Sequence, residues 1–210
     1  MTDTAPQQPA WVTALSPYLG EIIRVPLATP IRVRMIGDLI PDVRGAVVRF
    51  PQWTGPAFED DFGKKSAAFV EIDGEHLFAP LAVLRLLERD GWQGRWVITR
   101  GGAHGEVWKL LTRWLDVPRA DQKHVPIEDA RPRQLLANIA HANKPGRYAG
   151  CWDLFTWRDD EFFFLQCKRA SSTKETWLSR QQEEWMRMAL AAQPGVFRAD
   201  SFGVVEWDYV

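Results

Sequence analysis

The sequence predicts a mixed α/β fold in which helices flank a central sheet. Short runs of β-branched and aromatic residues recur between Pro and Gly residues, as is typical of strands. Between them lie segments whose apolar residues repeat at helical spacing. The 210 residues suffice for one substantial domain with extensions or for two small ones. We expect a flexible tail over residues 1–20, a β-rich extension over 21–66 and the main domain over 67–210.

Charge and cysteine content restrict the classes of function. The 26 Lys and Arg residues are balanced by 27 Asp and Glu residues, so any contact with nucleic acid has to come from a local basic patch. No apolar run is long enough to span a bilayer, so we expect no membrane association. Cys151 and Cys167 are the two cysteines, and in the hairpin register discussed below they are not opposed. Two reduced thiols and a cytoplasmic protein are therefore expected.

The β-rich extension contains the first predicted strands. They cover residues 22–25, 31–36 and 46–50. In the second of these strands, Arg32 and Arg34 alternate with apolar residues and give it one basic face. Such a face either meets phosphates or is the solvent-exposed side of an ordinary strand.

The rest of the chain alternates predicted strands and helices. Asp73 and Gly74 favour the tight turn of a β-hairpin, and Pro80 and Gly91 are typical of the start and the end of a helix. We predict strands over residues 69–72, 75–78, 95–99, 196–198 and 204–207, and helices over 80–90, 106–116, 132–143 and 177–192.

Residues 150–168 hold the most informative pattern in the chain. Two aromatic and aliphatic runs are separated there by the polar residues 158–161, which have the length of a hairpin loop. If the loop holds an even number of residues, Asp153 lies opposite Gln166. Because side chains alternate along a strand, Asp153, Gln166 and Lys168 then point to one face. Both faces are otherwise apolar, so these polar groups in an interior pair of strands need a function or a partner.

A carboxylate, an amide and an ammonium at one place suit metal-assisted cleavage of a phosphodiester. An oxygen of Asp153 can bind a divalent cation, Gln166 can offer a weak ligand or orient a water, and the carbonyl of Cys167 can add an oxygen. Lys168 can stabilise the attacking hydroxide or the charge that develops on phosphorus. The alternative is that Asp153 and Lys168 form an ordinary ion pair in a buried hairpin.

Two motifs resemble those of one enzyme superfamily. Asp153 followed by Gln166-Cys167-Lys168 resembles the D…(E/Q)xK signature of the PD-(D/E)XK nucleases. Downstream, residues 178–185 are similar to the L-S-x-x-Q-x-x-W helix that follows the core Lys in VRR-NUC and Holliday-junction-resolvase-like members, with Gln182 at the Gln position. The resemblance covers residues 150–190 well and the upstream half only loosely.

The resemblance implies a fold and a chemistry. The fold would be a restriction-endonuclease-like mixed β-sheet flanked by helices, and the activity a DNA nuclease that depends on Mg²⁺ or Mn²⁺. Gln182 would support the site from its helix. The cationic side chains of Arg169 and Lys174, with Arg100, would contact the DNA backbone. Homodimerisation stays open.

Two departures from the superfamily pattern keep alternatives open. Trp152 stands where the family usually has Pro, and Gln166 stands where Glu is commoner. Because an amide oxygen is a neutral and weaker ligand, one carboxylate of the metal shell is missing or comes from elsewhere. Glu88 is an upstream candidate, but it matches no motif. A catalytically inactive module that binds nucleic acid or a protein partner is the second hypothesis, and an unrelated α+β protein with no site there is the third.

Overall fold

The computed structural model of the chain describes residues 8–32, 39–61, 69–100, 105–143, 147–170 and 177–210. The strands are β1 (Leu19–Arg32), β2 (Leu39–Phe50), β3 (Phe69–Ile72), β4 (Glu75–Phe78), β5 (Gln93–Arg100), β6 (Glu106–Leu111), β7 (Leu154–Arg158), β8 (Glu161–Arg169) and β9 (Phe202–Tyr209). The helices are α1 (Ala10–Ala14), α2 (Ala79–Arg89), α3 (Ala130–Ala142) and α4 (Arg180–Ala192). The predicted mixed α/β class is confirmed.

Seven strands form one mixed sheet in the order β1-β2-β9-β8-β7-β5-β6, and β3 and β4 form a separate hairpin. Strand β7 pairs antiparallel with both β5 and β8, whereas β9 runs parallel to β8 and to β2. The β-rich extension therefore continues the main sheet, because β2 is hydrogen-bonded to β9. None of the described helices is long and apolar enough to cross a membrane.

The β7–β8 hairpin has the predicted even loop. Arg158 pairs with Glu161, so the loop is the dipeptide Asp159-Asp160, and Trp157 lies opposite Phe162. Asp159 takes a positive φ of 51°, as a tight hairpin turn requires. The register continues to Leu154 opposite Leu165. The predicted juxtaposition of the next residues, Asp153 and Gln166, follows from it.

Apolar side chains cover both faces of the sheet. On one face, α1, α2 and the β3–β4 hairpin pack in a cluster that includes Leu154 and Leu165. On the other face, α3 and α4 pack in a cluster that includes Phe155 and Phe164. Strands β7 and β8 are interior strands, because both sheet faces are covered and β5 and β9 flank the pair. Asp153 and Lys168 at their ends are partly buried.

Residues 106–116 were expected to form a helix, and this expectation is wrong. Their first part is β6, which pairs antiparallel with β5 at the edge of the sheet. Val107, Leu110 and Leu111 have helical spacing, but so short a run of mostly apolar residues is equally compatible with a strand that is apolar on both faces. Pairing with the otherwise open edge of β5 satisfies the backbone and decides in favour of the strand.

The expectation of a flexible tail over residues 1–20 is also wrong from residue 10 onward. Helix α1 lies there, and Trp11, Val12 and Leu15 are fully buried. The indole of Trp11 covers Gly203 of β9, where a Cβ atom would approach the ring to 2.3 Å. Burying so large an aromatic surface fixes the segment on the sheet. Residues 1–7 lie outside the described part of the chain.

Candidate active site

A pocket of about 530 Å³ opens in the sheet where β7 begins. Strands β5 and β8 both continue past that point, so a gap separates them. The lining of the pocket includes the five candidate site residues, Asp153, Gln166, Cys167, Lys168 and Gln182. The sequence pattern therefore predicted a set of residues that the fold does bring together.

Asp153 is held at the head of β7 by its neighbours on both sides. Its carboxylate Oδ2 accepts hydrogen bonds from the backbone N–H of Cys167 at 3.0 Å and from the side-chain amide of Gln166. Its carbonyl accepts from the N–H of Val97 on β5 at 2.8 Å. The orientation of the carboxylate is thus set by the fold itself.

Gln166 connects this carboxylate to helix α4. Only 4% of Gln166 is exposed, and its Oε1 accepts from Nε2 of Gln182. Gln182 in turn accepts from the backbone N–H of Ser179 at 2.9 Å and donates its own N–H to the Ser179 hydroxyl at 3.3 Å. This reciprocal pair is a capping box at the start of α4. A continuous line of hydrogen bonds therefore runs from the helix N-terminus to Asp153.

Trp152, one of the two departures from the superfamily pattern, has a structural role beside this line of hydrogen bonds. Its side chain is fully buried, and its indole N–H donates to the carbonyl of Gln182 at 3.1 Å. The bond fastens the start of α4 to the segment that precedes β7. Trp152 thereby helps to fix the distance between Gln182 and Asp153.

Lys168 lies two residues after Gln166 on β8, so both point to the same face of the strand. Cys167 contributes its backbone instead. Its N–H faces Asp153, and since a strand residue directs its N–H and C=O to the same neighbour, its carbonyl also faces the gap. Gln166 Nε2 lies 3.5 Å from that carbonyl oxygen. Asp153, Cys167 and Lys168 therefore all line the same pocket.

The two thiols are not candidate nucleophiles. Burial raises the pKa of Cys151 and of Cys167 well above the usual value, and the charge of Asp153 raises both pKa values further. Both cysteines are free. Because a thiolate is the reactive form, protonated thiols at neutral pH leave the chemistry to the oxygen and nitrogen groups of the pocket.

Of the three cations expected to contact DNA, Arg169 is the one whose position is described. It lines the pocket, and its guanidinium packs against Trp207 and Tyr209 at 5.3 and 4.7 Å from the ring centroids. Its Nε lies 3.6 Å from a carboxylate oxygen of Asp208. Lys174 and the side chain of Arg100 lie outside the described part of the chain.

The opposite wall of the pocket was missed by sequence reasoning. Phe78, Trp96 and Trp207 lie there, together with the start of α2 at Ala79 and Pro80. No local motif marks these residues, because the register of β5 against β7 is what brings them to the gap. Upstream glutamates are absent from the lining among the described residues. Glu88, one upstream candidate, instead hydrogen-bonds Arg85 at 2.6 Å.

The residues present fit a hydrated divalent cation better than a fully protein-bound one. Within the described ranges, no group of three or more His, Cys, Asp or Glu residues could hold a metal ion. Asp153 is the single carboxylate among the described lining residues. A magnesium ion commonly keeps several waters and binds through one or two carboxylates plus substrate phosphates. Asp153 with the Cys167 carbonyl meets that requirement.

Comparisons with known proteins give no family assignment. No family model, curated protein sequence or solved structure matches the chain. The resemblance to PD-(D/E)XK nucleases therefore rests on the residues of β7, β8 and α4 and on the geometry that they form.

Proposed function

We propose that the chain is a divalent-metal-dependent DNA nuclease with a restriction-endonuclease-like core. The observation that carries the proposal is the convergence of Asp153, Gln166 and Lys168 in the gap between β5 and β8. The order of elements supports it as well. Helix α2 precedes the core strands, the β7–β8 hairpin carries the D…QxK residues, and α4 follows with Gln182 bonded to Gln166.

Asp153 and the carbonyl of Cys167 would hold the cation, with Gln166 beside them. When bound, a divalent cation polarises the phosphoryl group and favours attack by water at neutral pH. Asp153 keeps its orientation because Cys167 and Gln166 both donate to the same oxygen. Such preorganisation removes the cost of arranging the site during the reaction.

Lys168 would act on the reacting atoms. Hydrolysis forms a bond from a water oxygen to phosphorus and breaks one P–O ester bond; the water loses a proton to solvent, and the released ester oxygen takes one up from solvent. Negative charge accumulates meanwhile on the phosphoryl oxygens. The ammonium of Lys168 would donate to the attacking hydroxide or to a phosphoryl oxygen and so stabilise that charge. Its removal should lower the rate of cleavage more than the binding of DNA.

The electrostatics of the pocket suit an anionic substrate. Lys168 and Arg169 both line the pocket that contains Asp153, although the guanidinium of Arg169 packs on Trp207 and Tyr209 near Asp208. Helix α2 begins at the pocket wall with Ala79 and Pro80, and the N-terminus of a helix carries a partial positive charge. A phosphodiester is therefore a better match for this pocket than a cationic or apolar ligand.

The test is cleavage of plasmid, linear and branched DNA with Mg²⁺ or Mn²⁺ present. Native protein should cleave at least one substrate, and Asp153→Ala and Lys168→Ala should each lose activity by about 100-fold or more. Lys123→Ala, an exposed lysine outside the pocket lining, serves as the matched control and should cleave normally. Equal cleavage by all four proteins would contradict the assignment.

One observation favours a second candidate function, a catalytically inactive module that binds nucleic acid. Gln166 replaces the commoner glutamate, and Asp153 is the single carboxylate among the described lining residues. A site of this kind binds a cation weakly but keeps its cationic side chains. DNA binding that survives Asp153→Ala, with no cleavage by the native protein, would favour this function.

A further inference from the structure

We propose that Gln166 faces Asp153 only as a hydrogen-bond donor, and that the backbone of Ser179 fixes this direction. Gln166 is then a positioning residue for Asp153 and not a ligand of the cation. The part concerning the cation rests on the proposed function. The direction of the hydrogen bonds does not.

The direction of these hydrogen bonds is set first by the backbone N–H of Ser179, a group that can only donate. The backbone N–H of Ser179 lies 2.9 Å from Gln182 Oε1, so the oxygen of that amide has to face the helix start. Its nitrogen then points away, toward Gln166. The oxygen of Gln166 accepts this bond, which leaves the nitrogen of Gln166 for Asp153.

The Asp153 end of this line of hydrogen bonds requires the same direction. An ionised carboxylate only accepts, and Oδ2 of Asp153 already accepts from the N–H of Cys167 at 3.0 Å. Turning one amide would place two donors or two acceptors face to face. Since Gln166 is 4% exposed, water has little access to repair such a mismatch. Both ends therefore select one arrangement of the two amides.

The direction is encoded locally, in the sequence Ser179-x-x-Gln182. In this capping box the Ser179 hydroxyl accepts from the N–H of Gln182, while the Gln182 side chain accepts from the N–H of Ser179. The start of a helix thus sets the orientation of an amide in the neighbouring strand. A glutamate at 166 could accept from Gln182 equally well, but would set a second carboxylate against Asp153.

The consequence is a specific view of the cation site. The oxygen of Gln166 is turned toward Gln182, so Asp153 and the carbonyl of Cys167 remain as the protein oxygens that would meet the cation. Gln166 also holds Asp153 in place before any cation binds. Reversing the direction of the line would turn the oxygen of Gln166 toward the cation as an added ligand and would remove one donor from Oδ2 of Asp153. We expect this gain to exceed the loss of positioning, so the affinity for the cation should rise.

The substitution Gln182→Glu should reverse the direction of the hydrogen bonds between residue 182, Gln166 and Asp153. The new carboxylate still accepts from the Ser179 N–H but now presents an oxygen to Gln166, which has to turn its nitrogen toward residue 182 and its oxygen toward Asp153. Mn²⁺ affinity, measured by electron paramagnetic resonance titration, should rise because Gln166 would then add an oxygen ligand. We expect a rise of about 10-fold, the lower end of the changes in affinity seen when partners of metal ligands are altered. Gln181→Glu adds the same charge one position earlier on α4, at the pocket lining but outside the line, and should change affinity less than about threefold. Equal shifts in the two variants, or none in Gln182→Glu, would overturn the proposal.

A measurement on the metal-free native protein tests the direction alone. Gln166 Nε2 and the Cys167 backbone N–H donate to the same oxygen, so their protons lie close together. A nuclear Overhauser effect between them should appear in the native protein and disappear in Gln182→Glu. Its absence from the native protein overturns the proposal. If the nuclear Overhauser effect is present but neither the native protein nor any variant binds Mn²⁺, the direction of the hydrogen bonds is supported. The proposed nuclease function is then contradicted instead.

Discussion

Replacing Gly150 by Ala should destabilise the protein far more than the same replacement at Gly74. Gly150 has a φ of +79°, and a Cβ there would lie 2.1 Å from the carbonyl oxygen and 2.3 Å from the carbonyl carbon of Gln181. These are backbone atoms of α4, which cannot swing aside as a side chain could. Gly74 has the same φ of +79°, but its Cβ would meet no atom within 4 Å. The pair isolates the close approach of the pocket wall to α4.

The expected magnitudes follow from the two geometries. A left-handed backbone conformation costs an L residue about 1–2 kcal/mol, and this cost is common to both variants. The change in the entropy of the unfolded chain is common as well. Gly150→Ala adds an overlap in a packed site, which costs about 1–3 kcal/mol. We expect the free energy of unfolding to fall by about 1–2 kcal/mol in Gly74→Ala and by about 2–5 kcal/mol in Gly150→Ala.

Urea unfolding followed by far-ultraviolet circular dichroism measures both values, and unchanged slopes would show that the same surface is exposed in each variant. Gly195, with a φ of +86° and no neighbour within 4 Å of a Cβ, provides a second control and should behave like Gly74. If Gly150→Ala and Gly74→Ala agreed within about 0.5 kcal/mol, the segment before β7 would not contact α4 as described.

Three further predictions concern stability. Burial raises the pKa of Glu206, with Glu21 and Asp208 also raising it and Arg49 opposing. Since the charged form is disfavoured in the folded protein, Glu206→Gln should stabilise slightly at neutral pH, by less than about 0.5 kcal/mol at this partly exposed site. The gain should fall as the pH drops through the unfolded-state pKa of about 4.3 and vanish near about pH 3, where the carboxyl is protonated in both states; a gain that persists there contradicts the reasoning. Trp11→Ala should lower the free energy of unfolding, measured in urea, by about 3–5 kcal/mol. A negligible decrease would mean that α1 does not pack on the sheet. Ser179→Ala removes the side-chain cap of α4 and should lower the free energy of unfolding by about 1 kcal/mol. Thermal unfolding measures this change, and an unchanged unfolding midpoint would argue against the capping box.

The geometry of the hairpin was predictable because it depends on local rules. Polar residues between two apolar runs mark a loop, and an even loop with two-residue alternation is enough to set Asp153 against Gln166. Lys168 follows on the same face for the same reason. A pocket with these side chains on opposite faces would have ruled out the nuclease interpretation.

Other features depend on contacts between distant segments. Residues 107–111 form too short an apolar run for its spacing to distinguish a helix from a strand, and the open edge of β5 decides that they form a strand. Trp11 is buried because β9 offers a glycine, Gly203, under its ring. The direction of the Gln166 amide starts from the local capping box of Ser179 and Gln182, but it is passed to Gln166 only because α4 packs against β8. Each of these features needs a contact that no single local motif specifies.

A crystal soaked in Mn²⁺ tests the central claim most directly. The nuclease interpretation predicts an anomalous difference peak in the pocket, about 2.1–2.3 Å from a carboxylate oxygen of Asp153 and near the carbonyl of Cys167, with Gln166 still donating to Asp153. The same crystal of Asp153→Asn should show no peak there. A native crystal with no peak in the pocket at saturating Mn²⁺, or one whose peaks lie only elsewhere, would contradict it.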